Sequence, residues 1–210
     1  MFGRSLLPAA ASLALLLTAC SSLDGGGGFG VSDYALVRAQ PRSVGDGTMV
    51  VTPPREWNRI RARLFDDVRA VEDWTLNGIY LDGISFVAGL KSGAYIVRQD
   101  RREYRQVPKF RSDMTPPEVA AMLESLYRVR GGAIDFKTIA LAPRAFMGRP
   151  GYQFDFEHLD GDEVWRRGRV VGTTINDRLY LVLFDATRSQ YYNAALADFE
   201  AIAASARLKG

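Results

Sequence analysis

The fold of this chain is decided by residues 152–184, YQFDFEHLDGDEVWRRGRVVGTTINDRLYLVLF. Over Tyr152–His158, aromatic residues alternate with polar ones, which predicts a strand with one buried and one solvated face. Asp160-Gly161 and Asn176-Asp177 are turn sequences, so we predict two successive hairpins, with the second strand over Val164–Ile175. The last segment, Leu179–Phe184, is apolar at every position and predicts a central strand that is covered on both faces.

Two helices accompany these strands. The first is predicted from Thr115 to Arg130, because Thr115-Pro116-Pro117-Glu118 combines a cap residue, an early proline and a glutamate three residues after the cap. Apolar residues then recur at three- and four-residue intervals up to Tyr127, and Gly131-Gly132 ends the helix. The second amphipathic helix is predicted from Tyr192 to the C-terminus, with Ala206 as the last residue of its apolar face.

The N-terminal half predicts shorter strands. The first is Thr48–Thr52, which two prolines stop. Val71–Leu76 and Ile84–Ala88 are predicted as a pair, with turns at Asn77-Gly78 and at Asp82-Gly83.

A further helix is predicted over Trp57–Val68, where Trp57, Ile60, Leu64 and Val68 are spaced for one face, with a strand as the alternative. Strands that are joined by hairpins and accompanied by helices indicate an α+β fold. We therefore predict an antiparallel β-sheet sandwiched by helices.

The first twenty residues predict export. Arg4 precedes Leu6–Leu17, an apolar run too short to span a bilayer, as in a signal peptide. Leu17-Thr18-Ala19-Cys20 resembles a bacterial lipobox, at which the cysteine is lipidated and becomes the first residue of the mature chain. The alternative is an ordinary signal peptide that happens to end in a cysteine. The lipobox resemblance implies a membrane anchor at Cys20, and Ser21, by analogy with enterobacterial sorting, favours the outer membrane.

Composition limits the remaining possibilities. Cys20 is the single cysteine, so an intrachain disulfide and a cysteine metal site are excluded. The net charge is +3, from 27 Lys+Arg and 24 Asp+Glu, which gives no indication of nucleic-acid binding. We divide the chain into a lipoprotein signal peptide (1–19), the lipidated cysteine with a Gly-rich tether (20–33), and a single α+β domain (34–210).

Four segments resemble the Mog1/PsbP-like family: MVVTPPREW (49–57), GYQFDF (151–156), RVVGTTINDRLYLVLFD (169–185) and SARL (205–208). The resemblance covers roughly residues 48–208. That family includes photosystem assembly proteins, a nuclear-transport regulator and bacterial envelope lipoproteins, and its common property is the binding of a partner. The resemblance therefore implies a binding or assembly module, while no partner or metal residue carries over to this chain.

Two groups of arginines are the candidate binding residues. One lies on the strand before the Asn176-Asp177 turn, and the other belongs to the charge-dense segment 98–111, which we predict to be a solvated loop. They are interpreted either as solvated charges that discourage strand pairing or as a patch for anionic lipid or an acidic protein. The residues of the predicted patch are Arg166, Arg167, Arg169, Arg101, Arg102 and Arg105.

His158 is the only histidine, and we interpret it as a half-buried residue at the end of a strand. A metal site formed with Asp160 and Asp162 is the alternative interpretation. No sequence motif for a cofactor or a phosphate loop is present. We predict a lipid-anchored, periplasm-facing envelope protein that binds a protein or an anionic lipid without a cofactor. The alternative is an envelope hydrolase or transferase that uses carboxylates: Asp155, Glu157, Asp162 and Glu163.

Overall fold

The computed structural model describes residues 34–60, 68–99 and 102–210. The predicted signal peptide, Cys20, the tether, Leu64 and Arg101 lie outside the described residues. In the part that is described, no helix is both long enough and apolar enough to cross a membrane.

Eleven strands and two α-helices form the described domain, with a short 3-10 helix at Glu103–Gln106. The helices are α1 (Pro116–Arg130) and α2 (Tyr191–Ser205). The strands are β1 (Tyr34–Val37), β2 (Arg42–Val44), β3 (Met49–Val51), β4 (Trp57–Ile60), β5 (Val71–Thr75), β6 (Asp82–Lys91), β7 (Asp135–Pro143), β8 (Tyr152–Leu159), β9 (Trp165–Ile175), β10 (Arg178–Thr187) and β11 (Arg207–Leu208).

Eight of the strands form one antiparallel sheet in the order β1-β4-β5-β6-β10-β9-β8-β7. Strands β8, β9 and β10 are consecutive hairpins, as predicted, and β10 lies between β6 and β9. The central position of β10 explains why Leu179–Phe184 is apolar throughout, since its side chains enter the cores on both faces.

Two apolar cores, one on each face of the sheet, make the three layers. On one face, α2 packs through Phe199 and Ile202 against Phe184 and neighbouring strand residues, together with the small sheet β11-β3-β2. On the other face, α1 packs through Met122 and Leu123. The prediction of an α+β fold with a sheet between helices is confirmed, as are both predicted helices.

Two local predictions were wrong. Residues 57–60 form strand β4 rather than a helix: Trp57 is fully buried, and β4 pairs with β1 and β5. Asp82-Gly83 begins strand β6 and is not a turn. The Asp82 carboxylate is buried and accepts hydrogen bonds from the Thr75 hydroxyl and the Leu76 backbone N–H, so it stabilises the turn before it. Strands β1, β2, β7 and β11 were not predicted, and α2 ends at Ser205 instead of continuing to the C-terminus.

One end of the sheet carries the loops that matter for the site. The β5–β6 turn, the end of α1, the β8–β9 turn and the segment between β10 and α2 surround the same hollow. These segments are distant in sequence, and the antiparallel pairing of the strands brings them together.

Candidate functional site

A row of polar side chains crosses the sheet on the face that α1 covers. Side chains alternate across a strand, so a residue two positions from a core residue lies on the same face. Asp73, Ser85, His158 and Asp185 stand two positions from Val71, Val87, Phe156 and Leu183, which all pack in the α1-side core. Arg166 joins them because it pairs directly with His158 between β8 and β9. We call these five residues the polar row.

Asp185 is the centre of the polar row. Each of its carboxylate oxygens lies 3.2 Å from Nε of Arg166 and 3.2 Å from Nε2 of His158. Arg166 also donates a hydrogen bond of 2.7 Å to the backbone carbonyl of Tyr80. Arg166 and His158 are 6% and 2% exposed, so this is a buried ion-paired network that ties β8, β9, β10 and the β5–β6 turn together.

His158 is thus buried, and the interpretation of His158 as a half-buried residue was wrong. Its ring lies among aromatic rings, with centroids 4.7 Å from Tyr127 and 6.0 Å from Phe156. Its Nδ1 atom is buried and has no hydrogen-bond partner among the described residues. The contacts of His158 are therefore those of a core residue that is oriented by Asp185.

Beside the polar row, α1 leaves part of this face of the sheet uncovered. The uncovered part is a cleft of two adjoining hollows. The inner hollow has a volume of 340 Å³ and lies between α1 and strands β5, β6 and β10; the outer one has a volume of 690 Å³ and lies at the loop end. Ile79, Tyr127, Arg130 and Gly131 line both. These volumes are in the range of small-molecule sites, about 300–1,000 Å³.

Apolar side chains are exposed around the outer hollow. Ile79, Tyr80 and Val164 line it and are 45%, 77% and 40% exposed. We call these three residues the apolar rim. Large exposed apolar groups that cluster beside a concave surface are typical of binding sites.

Tyr127 stands where the two hollows meet. Burial raises the pKa of its phenol well above the ordinary value, and the negative charge of Asp185 raises it further, against the opposing effect of Arg166. The hydroxyl therefore stays protonated at neutral pH and can donate a hydrogen bond.

The arginines of the predicted patch do not form one surface. Arg166 lies on the α1 face, whereas Arg169 lies on the α2 face. There Arg169 makes two 2.7 Å hydrogen bonds to Asp155 and one of 2.7 Å to Glu200. The hydrogen bonds that Arg169 donates to Asp155 raise the pKa of Arg169. The guanidinium of Arg167 lies 5.0 Å from the ring centroid of Tyr192.

Of the second group, Arg102 and Arg105 are exposed. The charges of Arg166 and Arg169 are thus already compensated within the fold, and a partner-binding role for the arginines stays a prediction.

The carboxylates of the alternative, catalytic prediction are dispersed. Asp155 and Glu157 lie on the α2 side of β8, where they pair with Arg169 and Arg188. Asp162 and Glu163 are exposed in the β8–β9 turn. The Asp160 side chain accepts backbone hydrogen bonds from Asp162 and Val164 and so holds this turn. Within residues 34–60, 68–99 and 102–210, no group of three or more His, Cys, Asp and Glu side chains is placed to hold a metal ion.

Sequence reasoning missed most of the polar row. Asp73, Ser85 and Asp185 were not singled out, because nothing local distinguishes them. Asp185 had one usable signal: it continues the alternation of Leu181 and Leu183 at the end of an apolar strand. A carboxylate at such a position needs a partner when it is buried, and Arg166 and His158 supply one.

By sequence, the chain matches no family model and no curated protein. Among solved structures it is similar to the cyanobacterial PsbP of Synechocystis sp. PCC 6803, with a TM-score of 0.51 and 17% identity over 89% of this chain and 99% of that one. It is also similar to the Ran-binding protein Mog1p of Saccharomyces cerevisiae, with a TM-score of 0.46 and 9% identity over 83% and 95% of the two chains.

A third similar structure is LpqN, a Mycobacterium tuberculosis protein involved in cell envelope biogenesis, with a TM-score of 0.36 and 10% identity over 85% and 93% of the chains. The likeness to PsbP confirms the predicted fold. At 17% identity the likeness to PsbP is informative about the fold alone.

Proposed function

We propose that this chain is a lipid-anchored protein of the bacterial envelope whose domain binds a protein or lipid partner without catalysing a reaction. The observation that carries the proposal is the apolar rim, Ile79, Tyr80 and Val164, around the outer hollow. The lipobox-like Leu17-Thr18-Ala19-Cys20 supports the anchor. Ser21 favours the outer membrane over the inner one.

The rim has the composition of an interface centre. Tyr80 is 77% exposed and combines a large apolar ring with a hydroxyl, a residue type that is enriched where proteins bind partners. Ile79 lies next to Tyr80 in the β5–β6 turn, and Val164 lies in the β8–β9 turn. A bound partner would therefore cover apolar area from two loops at once.

The charged groups of the cleft support binding rather than catalysis. Asp185 is held by Arg166 and His158, and the Ser85 hydroxyl donates to Asp73. A general acid or base needs a carboxyl or imidazole that can exchange a proton with a substrate. In the polar row, the Asp185 carboxylate is engaged with Arg166 and His158, the Asp73 carboxylate accepts a hydrogen bond from Ser85, and the remaining ring nitrogen of His158 is buried.

The proposal is tested by photo-crosslinking in cells. A photoreactive amino acid at Tyr80 or Val164 should give a crosslinked species in the envelope fraction, because both positions belong to the rim. The same amino acid at Leu208 is the control. Leu208 is 39% exposed, close to the 40% of Val164, but it lies in β11, which follows α2 and pairs with β3 in the small sheet. Equal crosslinking from all three positions, or none from the rim, would contradict the proposed binding surface.

The exposed part of the arginine patch can be tested separately. Replacing Arg102 and Arg105 with Gln should lower the retention of the protein on anionic vesicles and should leave thermal stability unchanged, because both side chains are exposed. Both proteins in this test are mature chains with Cys20→Ser, because acyl chains on Cys20 would hold them on the vesicles whatever their charge. Retention of the chain with all its arginines should weaken as salt is added, since exposed charges are screened over about 8–10 Å at physiological ionic strength. Equal retention of the two proteins at low salt would show that Arg102 and Arg105 do not belong to a surface that binds anionic lipid.

A further inference from the structure

We propose that a hollow at the end of the sheet opposite the apolar rim binds the phosphate of an anionic phospholipid, and that this contact turns that end of the domain toward the membrane. The inference goes beyond the binding role of the rim and uses the proposed anchor at Cys20. It comes from two features of the domain: the charges that line the hollow, and the direction in which the chain enters β1.

The hollow lies where β5 and β10 begin and where β6 ends, and the turn between β2 and β3 closes one side of it. Its volume is 470 Å³. Arg69, Lys91, Arg178 and Asp46 are the charged residues among those that line it, and the others are apolar residues or glycine. We call it the basic hollow.

Two of these four charges compensate each other within the fold. Arg178 lies 3.6 Å from Asp46 and donates a hydrogen bond of 3.2 Å to the backbone carbonyl of Gly89. Gly89 is the extra residue of a bulge in β6, and a Cβ atom there would lie 2.7 Å from the hydroxyl oxygen of Thr48. The Thr48 hydroxyl in turn donates a hydrogen bond to Asp46. The β2–β3 turn is thus held against the bulge, and this contact fixes the position of the Arg178–Asp46 pair.

The other two charges, Arg69 and Lys91, are left over. Both residues are exposed, and within the part of the chain that the structure describes neither side chain has a hydrogen-bond or ion-pair partner. Two uncompensated cations at one concave surface create a positive potential that attracts anions. A guanidinium matches the oxygens of a phosphate group, and an ammonium adds a point charge beside it. The described lining therefore favours a phosphate ligand over a neutral or a cationic one.

The direction of β1 brings the proposed anchor to the same end of the sheet. Strands β1 and β5 both pair antiparallel with β4, so they run in the same direction. Strand β5 begins beside the basic hollow, directly after Ala70, and ends at the turn that bears Ile79 and Tyr80. The chain therefore enters β1 from the side of the basic hollow. A Gly-rich tether over residues 20–33 has a typical reach of roughly 20 Å, which would keep this side of the domain close to the membrane.

The apolar rim lies at the other end of the sheet. Strand β6 has ten residues and spans about 30 Å from the rim to the basic hollow. A domain that contacts the membrane through the basic hollow would hold the rim about that distance further away, where a partner can reach it. A site with two uncompensated charges binds weakly by itself, and the anchor makes the contact effective because it raises the local concentration of lipid.

The direct test measures the retention of the mature chain on vesicles of phosphatidylcholine and phosphatidylglycerol. The chain carries Cys20→Ser, so that no acyl group holds it on the vesicles. Arg69→Gln with Lys91→Gln should lower the partition constant by about thirtyfold, because each basic side chain near an anionic surface contributes about fivefold.

The matched control is Arg38→Gln with Lys137→Gln. It also removes one exposed arginine and one exposed lysine, but Arg38 follows β1 at the rim end, Lys137 lies on the edge strand β7, and neither lines the basic hollow. We expect the control to lower the partition constant by less than about threefold, since charges beyond about 8–10 Å of the surface are screened. Near-ultraviolet circular dichroism establishes that each variant is folded.

A second measurement tests the orientation of the domain. Cys20 is the single cysteine, so the Cys20→Ser chain can carry one new cysteine with an environment-sensitive dye. Ser92 and Val164 are both exposed, Ser92 next to Lys91 and Val164 in the apolar rim. On the anionic vesicles, the emission of a dye at Ser92→Cys should shift to shorter wavelength, whereas that of a dye at Val164→Cys should change little.

Equal losses of retention in the two double variants would show that retention follows net charge, and the inference would then be wrong. A larger emission shift at Val164 than at Ser92 would contradict the orientation. Absence of retention on the anionic vesicles would also overturn the inference. If glycerol 3-phosphate bound saturably in that case, the basic hollow would belong to a soluble phosphate compound. Crosslinking from the rim does not depend on any of these outcomes, so the proposed function is tested separately.

Discussion

Glu200 connects α2 to strand β9 and to the loop after β7 through hydrogen bonds. Its two oxygens accept hydrogen bonds of 2.6 Å from Arg144 and 2.7 Å from Arg169. Arg169 in turn holds Asp155 with two parallel hydrogen bonds, so one network connects α2, β8, β9 and the loop after β7. Such bidentate pairs fix geometry as well as charge.

The pKa of Glu200 makes this network dependent on pH. Burial raises this pKa, but the hydrogen bonds and charges of Arg144 and Arg169 lower it more, so it lies below the ordinary 4.5. A carboxyl with a lowered folded-state pKa stabilises the fold fully above its unfolded-state pKa. That contribution is lost as pH falls through the folded-state value.

We therefore expect Glu200→Gln to lower the free energy of unfolding at neutral pH, and we expect the difference from the unmodified chain to shrink at pH values below 4.5. Urea denaturation at neutral pH and at two acidic pH values measures this. Glu124→Gln is the control: it removes an exposed i,i+4 pair with Arg128 and should change stability by less than about 0.5 kcal/mol. A cost of Glu200→Gln that stays constant with pH would show that the network is not held by this charge.

Gly168 provides a second residue-scale prediction. A Cβ atom there would lie 2.1 Å from Cζ of Phe156 and 2.7 Å from the backbone oxygen of Phe184. Both neighbours are fully buried, so neither can easily move. Gly168→Ala should cost about 1–3 kcal/mol through overpacking. Gly161→Ala, in an open turn, should cost much less in the same thermal unfolding experiment. Equal costs would mean that the aromatic packing around β9 is loose.

The arginines show what sequence can predict at this scale. Arg167 and Arg169 stand two positions apart on β9 and therefore share a face, as the alternation of side chains along a strand requires. The partners of the arginines could not be predicted. Asp155 meets Arg169 only through the register of β8 against β9, and Asp185 meets Arg166 only through the register of β9 against β10. Register depends on side-chain packing over the whole sheet, and a short motif does not contain it.

Among the elements, α1 was predicted well because its signals are local. The Glu118 carboxylate accepts hydrogen bonds from the backbone N–H and the hydroxyl of Thr115, and these bonds lower the pKa of Glu118. Arg128 and Arg130 lie in the last turn, where the helix dipole favours cations. All these contacts connect residues a few positions apart, so the sequence itself contains them.

The buried face of α1 is tested by Leu123→Ala. Leu123 is 1% exposed and packs in the core between α1 and the sheet. The substitution should lower the free energy of unfolding by about 2–5 kcal/mol through the cavity that it leaves. Leu208→Ala is the control, because Leu208 is 39% exposed and should change stability by less than about 0.5 kcal/mol. Unchanged thermal stability of Leu123→Ala would contradict the packing of α1 on the sheet.

The elements that sequence reasoning missed lack such local signals. Strand β7 is an edge strand with only Phe136 buried, so it shows no alternation of apolar and polar residues. Strand β4 has four residues, too few to distinguish the two-residue period of a strand from the spacing of a helix, and the helical spacing of Trp57 with Ile60 was coincidental. Short and edge strands are defined by their neighbours, which are here β1 and β5 for β4 and β8 for β7.

At the scale of the whole molecule, the sequence predicted the layers but not the cleft. The periodicity of apolar residues and the turn sequences can be recognised within single segments of the chain. These local patterns were enough to predict a sheet between two helices. The cleft combines Asp73, Ser85, Tyr127, His158 and Asp185 from five different elements. Its lining is a consequence of strand order, since β6 pairs with β10 across nearly a hundred residues.

The last prediction concerns how the whole protein is placed at a membrane. The proposed anchor is the lipidated Cys20, and one acyl chain binds a bilayer only marginally, whereas two or more hold a protein stably. Cys20→Ala should therefore move the protein from the membrane to the soluble periplasmic fraction. Ser22→Ala changes a neighbour outside the lipobox-like segment and should leave the protein in the membrane. Membrane association of Cys20→Ala that survives high salt, with normal cleavage of the signal, would show that another part of the chain attaches it.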